Sequence, residues 1–132
     1  MRGETFDWSL RVYYEDTDAG GVVYYANYLK FCERARTEWL RAANVDHRSL
    51  ADMGVSLVVR SVALDYHRPA HLDDWLTVKS RLLARRPVAL TLHQAIERGG
   101  EGLATARVEV VCVDCARFRP CPLPPAVAEI TL

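Results

Sequence analysis

Residues 28–43 read YLKFCERARTEWLRAA, and this stretch decides the fold. Its apolar members recur at steps of three and four residues, namely Tyr28, Phe31, Cys32, Ala35, Trp39, Ala42 and Ala43. Charged residues occupy the positions between them. This spacing predicts an amphipathic helix of about five turns that buries one face. The partner of that face must come from the segments on either side.

Those segments carry strand patterns. Residues 5–13 alternate apolar and polar side chains, which predicts a strand with one exposed face. Residues 45–53 read as a short connection with one helical turn. Further strands are predicted at 55–66, 75–83, 88–98 and 103–113, with a hairpin turn at 99–102. Because short turns join these four strands, we expect them to be antiparallel neighbours.

A helix with one apolar face and an amphipathic sheet together predict an α+β domain, in which a five-stranded antiparallel sheet wraps around a single long helix. The domain is expected to span residues 1–132, with an irregular proline-rich tail over 117–132. An open sheet has edges that need covering, and pairing with a second copy is a common solution. We therefore expect at least a homodimer.

Composition excludes several classes of partner. The 132 residues include 17 Lys plus Arg and 17 Asp plus Glu, so the formal net charge is zero. No basic field favours nucleic acid or anionic lipid. The chain contains no apolar run of about 20 residues and no apolar stretch near Met1, which predicts a cytoplasmic protein that does not insert into membranes.

The segment before the helix is the best candidate for chemistry. It places Asp16, Asp18, Gly20 and Gly21 close to the helix start. Free backbone N–H groups at a helix N-terminus carry partial positive charge and can hold a developing oxyanion, while a nearby carboxylate can attack a carbonyl or activate water. The alternative is that Asp16 or Asp18 only caps the helix and that the glycines form its turn.

Other catalytic systems are poorly supported. The chain lacks a Gly-x-Ser-x-Gly elbow, a phosphate-binding glycine loop, a dinucleotide fingerprint and a His-Glu-x-x-His motif. Cys112 and Cys115 have the spacing of a zinc or redox pair but too few nearby ligands, so reduced cysteines are preferred. His67 and His71 alone make a weak metal site. Cys32 falls on the buried stripe. We expect no metal and no cofactor.

Three segments carry a family resemblance: residues 18–28, residues 33–36 and residues 65–70, which read DAGGVVYYANY, ERAR and DYHRPA. Together they resemble the hotdog-fold acyl-CoA thioesterases of the 4-hydroxybenzoyl-CoA thioesterase type, and most of all the YbgC-like, Tol-Pal-associated branch. The match runs from about Arg11 to Val113. The resemblance implies a hotdog fold, hydrolysis of a thioester to free acid and CoA, and dimers that commonly pair into tetramers with the active site at the subunit interface.

The resemblance also implies roles for particular residues. Asp18 matches the catalytic aspartate, which acts as nucleophile or as general base, and the backbone N–H of Tyr25 matches the donor that polarises the thioester carbonyl. Asp16 is interpreted as a supporting or turn residue. Many members of this branch have His where this chain has Tyr25, so an imidazole acid or base is absent at that position.

Substrate contacts are predicted around these groups. Gly21 and Val22 lie in the motif itself, and the acyl pocket is expected to include Tyr24, Tyr28 and Val59, for which core packing is an equally good interpretation. Arg85 and Arg86 at a hairpin tip are candidates for the CoA phosphates. An acyl-acyl carrier protein thioesterase and a non-catalytic acyl-CoA-binding or interaction protein stay open as alternatives. A dehydratase is disfavoured because no His accompanies Asp18.

Overall fold

A computed structural model describes residues 5–130 of the chain. Its elements follow in chain order: β1 (Phe6–Arg11), a 3-10 turn (Tyr14–Asp16), α1 (Asn27–Ala42), α2 (His47–Asp52), β2 (Val55–Tyr66), β3 (Trp75–Arg85), β4 (Ala89–Arg98), β5 (Glu101–Asp114), β6 (Arg119–Pro120) and α3 (Pro125–Ala128). Residues 1–4, which bear on the expected absence of a signal peptide, and residues 131–132 lie outside the described residues.

The sheet is antiparallel, with the strand order β1-β3-β4-β5-β2 and the short β6 paired to β5. The prediction that β2 and β3 are neighbours is wrong, because β3 lies between β1 and β4. Residues 67–74 connect the two strands without a hairpin, and their hydrogen bonds go elsewhere: the Ala70 carbonyl accepts from the Val23 N–H at 2.8 Å, and the Asp74 carbonyl from the Val12 N–H at 2.9 Å.

Helix α1 packs its apolar stripe against the inner face of the sheet, and the predicted α+β arrangement is confirmed. Phe31, Cys32, Ala35 and Trp39 are buried in one core cluster with side chains from the strands. Ala42 is the exception, because the helix ends there and the side chain is exposed. The sheet wraps around a single long helix, and this places the helix start at one end of the core.

The hairpin between β4 and β5 is tighter than predicted. Gly99 and Gly100 form a two-residue turn with φ values of +57° and +86°, so Arg98 pairs directly with Glu101. Two consecutive positive φ angles are typical of a type I′ turn, whose twist matches that of the flanking strands. Both glycines are therefore required by the backbone, and β5 begins two residues earlier than the pattern indicated.

The proline-rich tail contains more order than an irregular segment. Cys121 donates its N–H to the Cys112 carbonyl at 2.9 Å, and Leu123 donates to the Pro87 carbonyl at 2.9 Å. Helix α3 begins at Pro125, where a missing N–H costs nothing. Leu123, Val127 and Ile130 are buried in the main core.

Candidate active site

The acidic glycine loop folds back on itself between the 3-10 turn and α1. The Tyr24 N–H donates to the Asp16 carbonyl at 2.9 Å, and the Asp18 N–H donates to the Val22 carbonyl at the same distance. Gly21 closes this loop with a φ of +82°, a conformation that side chains rarely adopt. The fold-back holds Asp18 beside the strand segment that leads directly into the helix start.

The Asp18 carboxylate is held on one oxygen and open on the other. Its Oδ1 accepts the Gly20 N–H at 2.8 Å, whereas its Oδ2 has no hydrogen-bond partner among residues 5–130. A Cβ added at Gly20 would lie 3.2 Å from Oδ1, so glycine there keeps the carboxylate in place. An exposed carboxylate with one oriented and one free oxygen suits a nucleophile or a general base.

Asp16 has a different environment, although it lies only two residues away. It is 4% exposed, and its two oxygens accept from the Tyr13 N–H and from Asn27 Nδ2, both at 2.8 Å. The capping alternative is wrong for both carboxylates, because Ala26 is the N-cap of α1 and no side chain caps it. Asp16 instead ties the loop to the first helical residue.

The helix start offers unused donors. The N–H of Asn27 bonds the Tyr24 carbonyl at 2.8 Å, but within residues 5–130 neither the Tyr25 nor the Ala26 N–H has an acceptor. These groups lie where the partial positive charge of the helix is concentrated. The absence of a side-chain cap therefore leaves donors available to an oxyanion.

An aromatic cleft of about 290 Å³ opens beside these donors. Tyr25, Tyr28 and Tyr66 line it together with Val23, His67, Arg68 and Pro69. The Tyr66 hydroxyl donates to the Tyr25 carbonyl at 2.7 Å, and the Tyr28 hydroxyl accepts from the Ala70 N–H at 3.1 Å. Residues 65–70 thus brace the loop and the helix start.

Two phenols of this cleft, those of Tyr28 and Tyr66, are not bases at neutral pH. Burial raises the pKa of Tyr28, although the hydrogen bond from Ala70 opposes the shift. Burial likewise raises the pKa of Tyr66, with smaller contributions from the neighbouring tyrosines. Cys32 is 1% exposed, and burial raises its thiol pKa to about 11, as expected of a core residue and not of a nucleophile.

The remaining predicted contacts lie elsewhere. Tyr24 packs on Tyr25 with ring centroids 4.9 Å apart but does not line the cleft. Val59 lines a separate cavity of about 120 Å³ between α1 and the sheet. Arg85 and Arg86 lie at the opposite end of β3, roughly 33 Å along the strand from the loop. Arg85 donates to the Ile130 carbonyl, and Arg86 lies 3.5 Å from Glu109.

The sequence analysis missed three residues that the structure brings to the loop. Tyr66 ends β2, and His67 and Arg68 follow it inside the DYHRPA segment. The sequence analysis linked this segment to the family resemblance and considered His67 only as a metal ligand, without assigning any of the three residues to the loop. An aromatic side chain beside a basic one at a proline turn was the available signal. Arg68 is also engaged by Glu101, with its Nε 3.2 Å from that carboxylate.

Within residues 5–130, no three His, Cys, Asp or Glu side chains are grouped to hold a metal ion. Cys112 and Cys121 approach each other, with 3.7 Å between their sulfur atoms, while Cys115 is exposed. None of the helices in that range is both long enough and apolar enough to span a membrane.

Comparisons by family model, by sequence and by structure all relate this chain to the same group of proteins. The family model of the thioesterase-like superfamily matches residues 12–130. The chain is 43% identical over 128 residues to the acyl-CoA thioester hydrolase YbgC of Escherichia coli O6:H1, covering 96% of each chain. It is 42% identical to the acyl-CoA thioesterase YbgC of Haemophilus influenzae, covering 96% of this chain and 94% of the relative. A probable thioesterase from Bartonella henselae superposes with a TM-score of 0.87 at 37% identity, covering 91% of this chain and 99% of that one.

Proposed function

Since this chain belongs to the thioesterase-like superfamily, we propose that it hydrolyses acyl-CoA thioesters through Asp18, with the backbone N–H of Tyr25 polarising the carbonyl. Thioester hydrolysis in general is supported by two thioesterase relatives that are more than 40% identical to this chain over nearly its whole length. The observation that supports the roles of Asp18 and the Tyr25 N–H is the open Asp18 oxygen on a loop that ends at two unused N–H donors.

The chemistry needs only water and these groups. In the nucleophilic route, an Asp18 oxygen attacks the thioester carbon, the carbonyl oxygen becomes an oxyanion facing the Tyr25 N–H, and CoA leaves as thiolate. Water then cleaves the acyl-aspartyl anhydride and regenerates the carboxylate. In the general-base route, Asp18 takes a proton from water as the water attacks. A thiolate is a good leaving group, so neither a cofactor nor an imidazole is required.

We place the second subunit at the edge of β2. This strand ends the sheet, and over residues 60–63 consecutive side chains are exposed, so both of its faces are open. Val59 and Val62 are 48% and 41% exposed. Isologous pairing of two β2 edges gives a homodimer and covers this apolar surface, and further pairing of dimers gives the tetramer. Arg85 and Arg86 can reach CoA phosphates in such an assembly only from another subunit.

The proposal also specifies the acyl carrier and the cellular compartment. The acyl group is carried by CoA, as in the names of both YbgC relatives, and Arg68 is the cation nearest the cleft that could meet a phosphate. The compartment is the cytoplasm. Presenting one acyl group on CoA and on acyl carrier protein, and comparing kcat/KM, separates the two carriers.

The test is thiol release from short, long and aromatic acyl-CoAs by wild type and by Asp18→Asn. We expect the variant to lose about 10²-fold or more in kcat, because the amide neither attacks nor accepts a proton. Its melting temperature should match the wild type, since Gly20 can still donate to the amide oxygen. An equally active Asp18→Asn would refute the assignment.

A single turnover in ¹⁸O-labelled water separates the two routes. Label recovered in the Asp18 carboxylate identifies an anhydride that water opened at the aspartyl carbon. Label confined to the acid product, with no acyl-enzyme mass after rapid quenching, identifies the general base.

A further inference from the structure

Arg36 is a partly buried cation that has no carboxylate partner among the described residues. It lies on α1, and its Nη1 donates to Gln94 Oε1 at 2.9 Å, its only hydrogen bond to another described residue. No Asp or Glu of residues 5–130 forms an ion pair with it. Burial lowers the pKa of Arg36, and the opposing contributions of Cys32 and of nearby Glu33 only partly offset this. A desolvated charge is costly unless it is paired, so this guanidinium requires an explanation.

Gln94 holds the Arg36 guanidinium in a fixed orientation. Gln94 is fully buried on β4, and its Nε2 donates to the Cys32 carbonyl at 3.0 Å and to Ser80 Oγ at 2.9 Å. Both amide hydrogens are therefore used within the core, and the amide oxygen is left to accept from Arg36. The network holds one edge of the guanidinium and leaves its other donors unused.

The Arg36 side chain, which carries these unused donors, lines an apolar cavity. The cavity measures about 120 Å³, and most of its wall is formed by Leu40, Leu57, Val59, Leu90, Leu92 and Val110. Thr37 and His47 also line it, as does Glu33. The volume equals about four water molecules, which suits a short acyl group of a few atoms. The wall thus combines apolar side chains, the oriented Arg36 guanidinium and the Glu33 carboxylate, and an oriented guanidinium in a mostly apolar cavity can bind an amphiphilic anion.

The proposed dimer brings this cavity to the thioester. When two β2 strands pair antiparallel about a two-fold axis, the C-terminal end of one strand runs beside the N-terminal end of the other. Tyr66, which contacts Tyr25 at the helix start, lies at the first end. Leu57, which lines the cavity, lies at the second. The acyl group held at one helix start thus extends toward the cavity of the partner subunit.

We infer that Arg36 binds a carboxylate at the far end of the acyl group, so that the enzyme prefers short acyl-CoAs carrying a terminal carboxylate over neutral acyl-CoAs of the same shape. This inference rests on the proposed function and on the β2 dimer. It gives the unpaired guanidinium a partner that arrives with the substrate. It also makes Arg36 a specificity residue and not a catalytic one.

The test compares succinyl-CoA with 4-methylpentanoyl-CoA, which replaces the carboxylate by an isopropyl group of similar shape, after subtraction of the enzyme-free rate. Wild type should favour succinyl-CoA in kcat/KM. Arg36→Gln should lower kcat/KM for succinyl-CoA by about 10- to 100-fold, the range for a hydrogen bond to a charged group, and change the neutral substrate by less than about threefold. Arg36→Lys keeps the charge and should lose less.

Arg34→Gln is the matched control, because Arg34 is an exposed arginine on the same helix and should leave both substrates unchanged. Equal losses on both substrates in Arg36→Gln, or a wild type that prefers the neutral acyl group, would overturn the inference. A dimer that dissociates in Arg36→Gln would do the same, because it would show that a carboxylate of the second subunit is the partner. If wild type hydrolyses neither substrate, the proposed function fails first.

Discussion

Replacing Asp16 with alanine removes the acceptor of two hydrogen bonds that join the acidic loop to α1. The Tyr13 N–H and the Asn27 amide, each 2.8 Å from a carboxylate oxygen, lose their partner at a site that is 4% exposed. Leaving a buried donor unsatisfied costs about 1–3 kcal/mol, so the pair amounts to roughly 2–6 kcal/mol of unfolding free energy. For a chain of this size that corresponds to a fall of about 8–24 °C in Tm.

Asp16→Asn should cost much less, about 1 kcal/mol, because the introduced amide can accept from the Tyr13 N–H while a rotated Asn27 amide accepts from it. The assay is thermal and urea unfolding followed by circular dichroism. Asp18→Asn is the control from the same loop, and its stability should stay within about 1 kcal/mol of wild type since its side chain makes only the exposed bond to Gly20. An Asp16→Ala variant that melts with the wild type would refute the reasoning, because the buried carboxylate would then hold nothing together.

Three further predictions follow from individual side chains. Tyr66→Phe removes the 2.7 Å bond to the Tyr25 carbonyl and should lower kcat about 3- to 10-fold with little change in KM. Because burial raises the pKa of Tyr66, its titration should cause no loss of wild-type activity at neutral pH. At about pH 7.5, iodoacetamide should alkylate exposed Cys115 and spare Cys32, whose buried thiol has a pKa of about 11; peptide mass spectrometry showing equal labelling would contradict this. Ile96→Val, at a fully buried position, should cost about 0.5–1.5 kcal/mol in urea unfolding, and a neutral result would mean that the core relaxes around it.

Much of the fold was predictable because the patterns are local. The three- and four-residue spacing of residues 28–43 predicted α1 to within a residue at each end, and the enrichment of residues 55–66 in β-branched side chains predicted β2 over the observed range. The turn at Gly99 and Gly100 was predicted at the right place, but over four residues (99–102) and not two. Composition shows that glycines are present, whereas the pairing of Arg98 with Glu101 depends on the twist of two strands that the sequence does not display.

The site was predictable in part for the same reason. The loop that carries Asp18, Gly21 and Tyr25 is one continuous segment, and the structure keeps these residues on one fold-back. Arg85 and Arg86 stand where the hairpin pattern put them, but a strand of eleven residues separates them from that loop within one chain. Distances of this kind depend on strand order, which short-range patterns do not encode.

The sequence by itself determined the elements of this protein, its family resemblance and the loop that carries its chemistry, because each is written in neighbouring residues. Only the tertiary structure decided which of two carboxylates is buried, where residues 67–74 go, and which partly buried cation has no carboxylate partner within residues 5–130. Asp16 meets Asn27 across 11 positions, and Arg36 meets Gln94 across 58. Desolvation and hydrogen bonding depend on what packs around a group in space, and those surroundings come together only when the sheet closes over the helix.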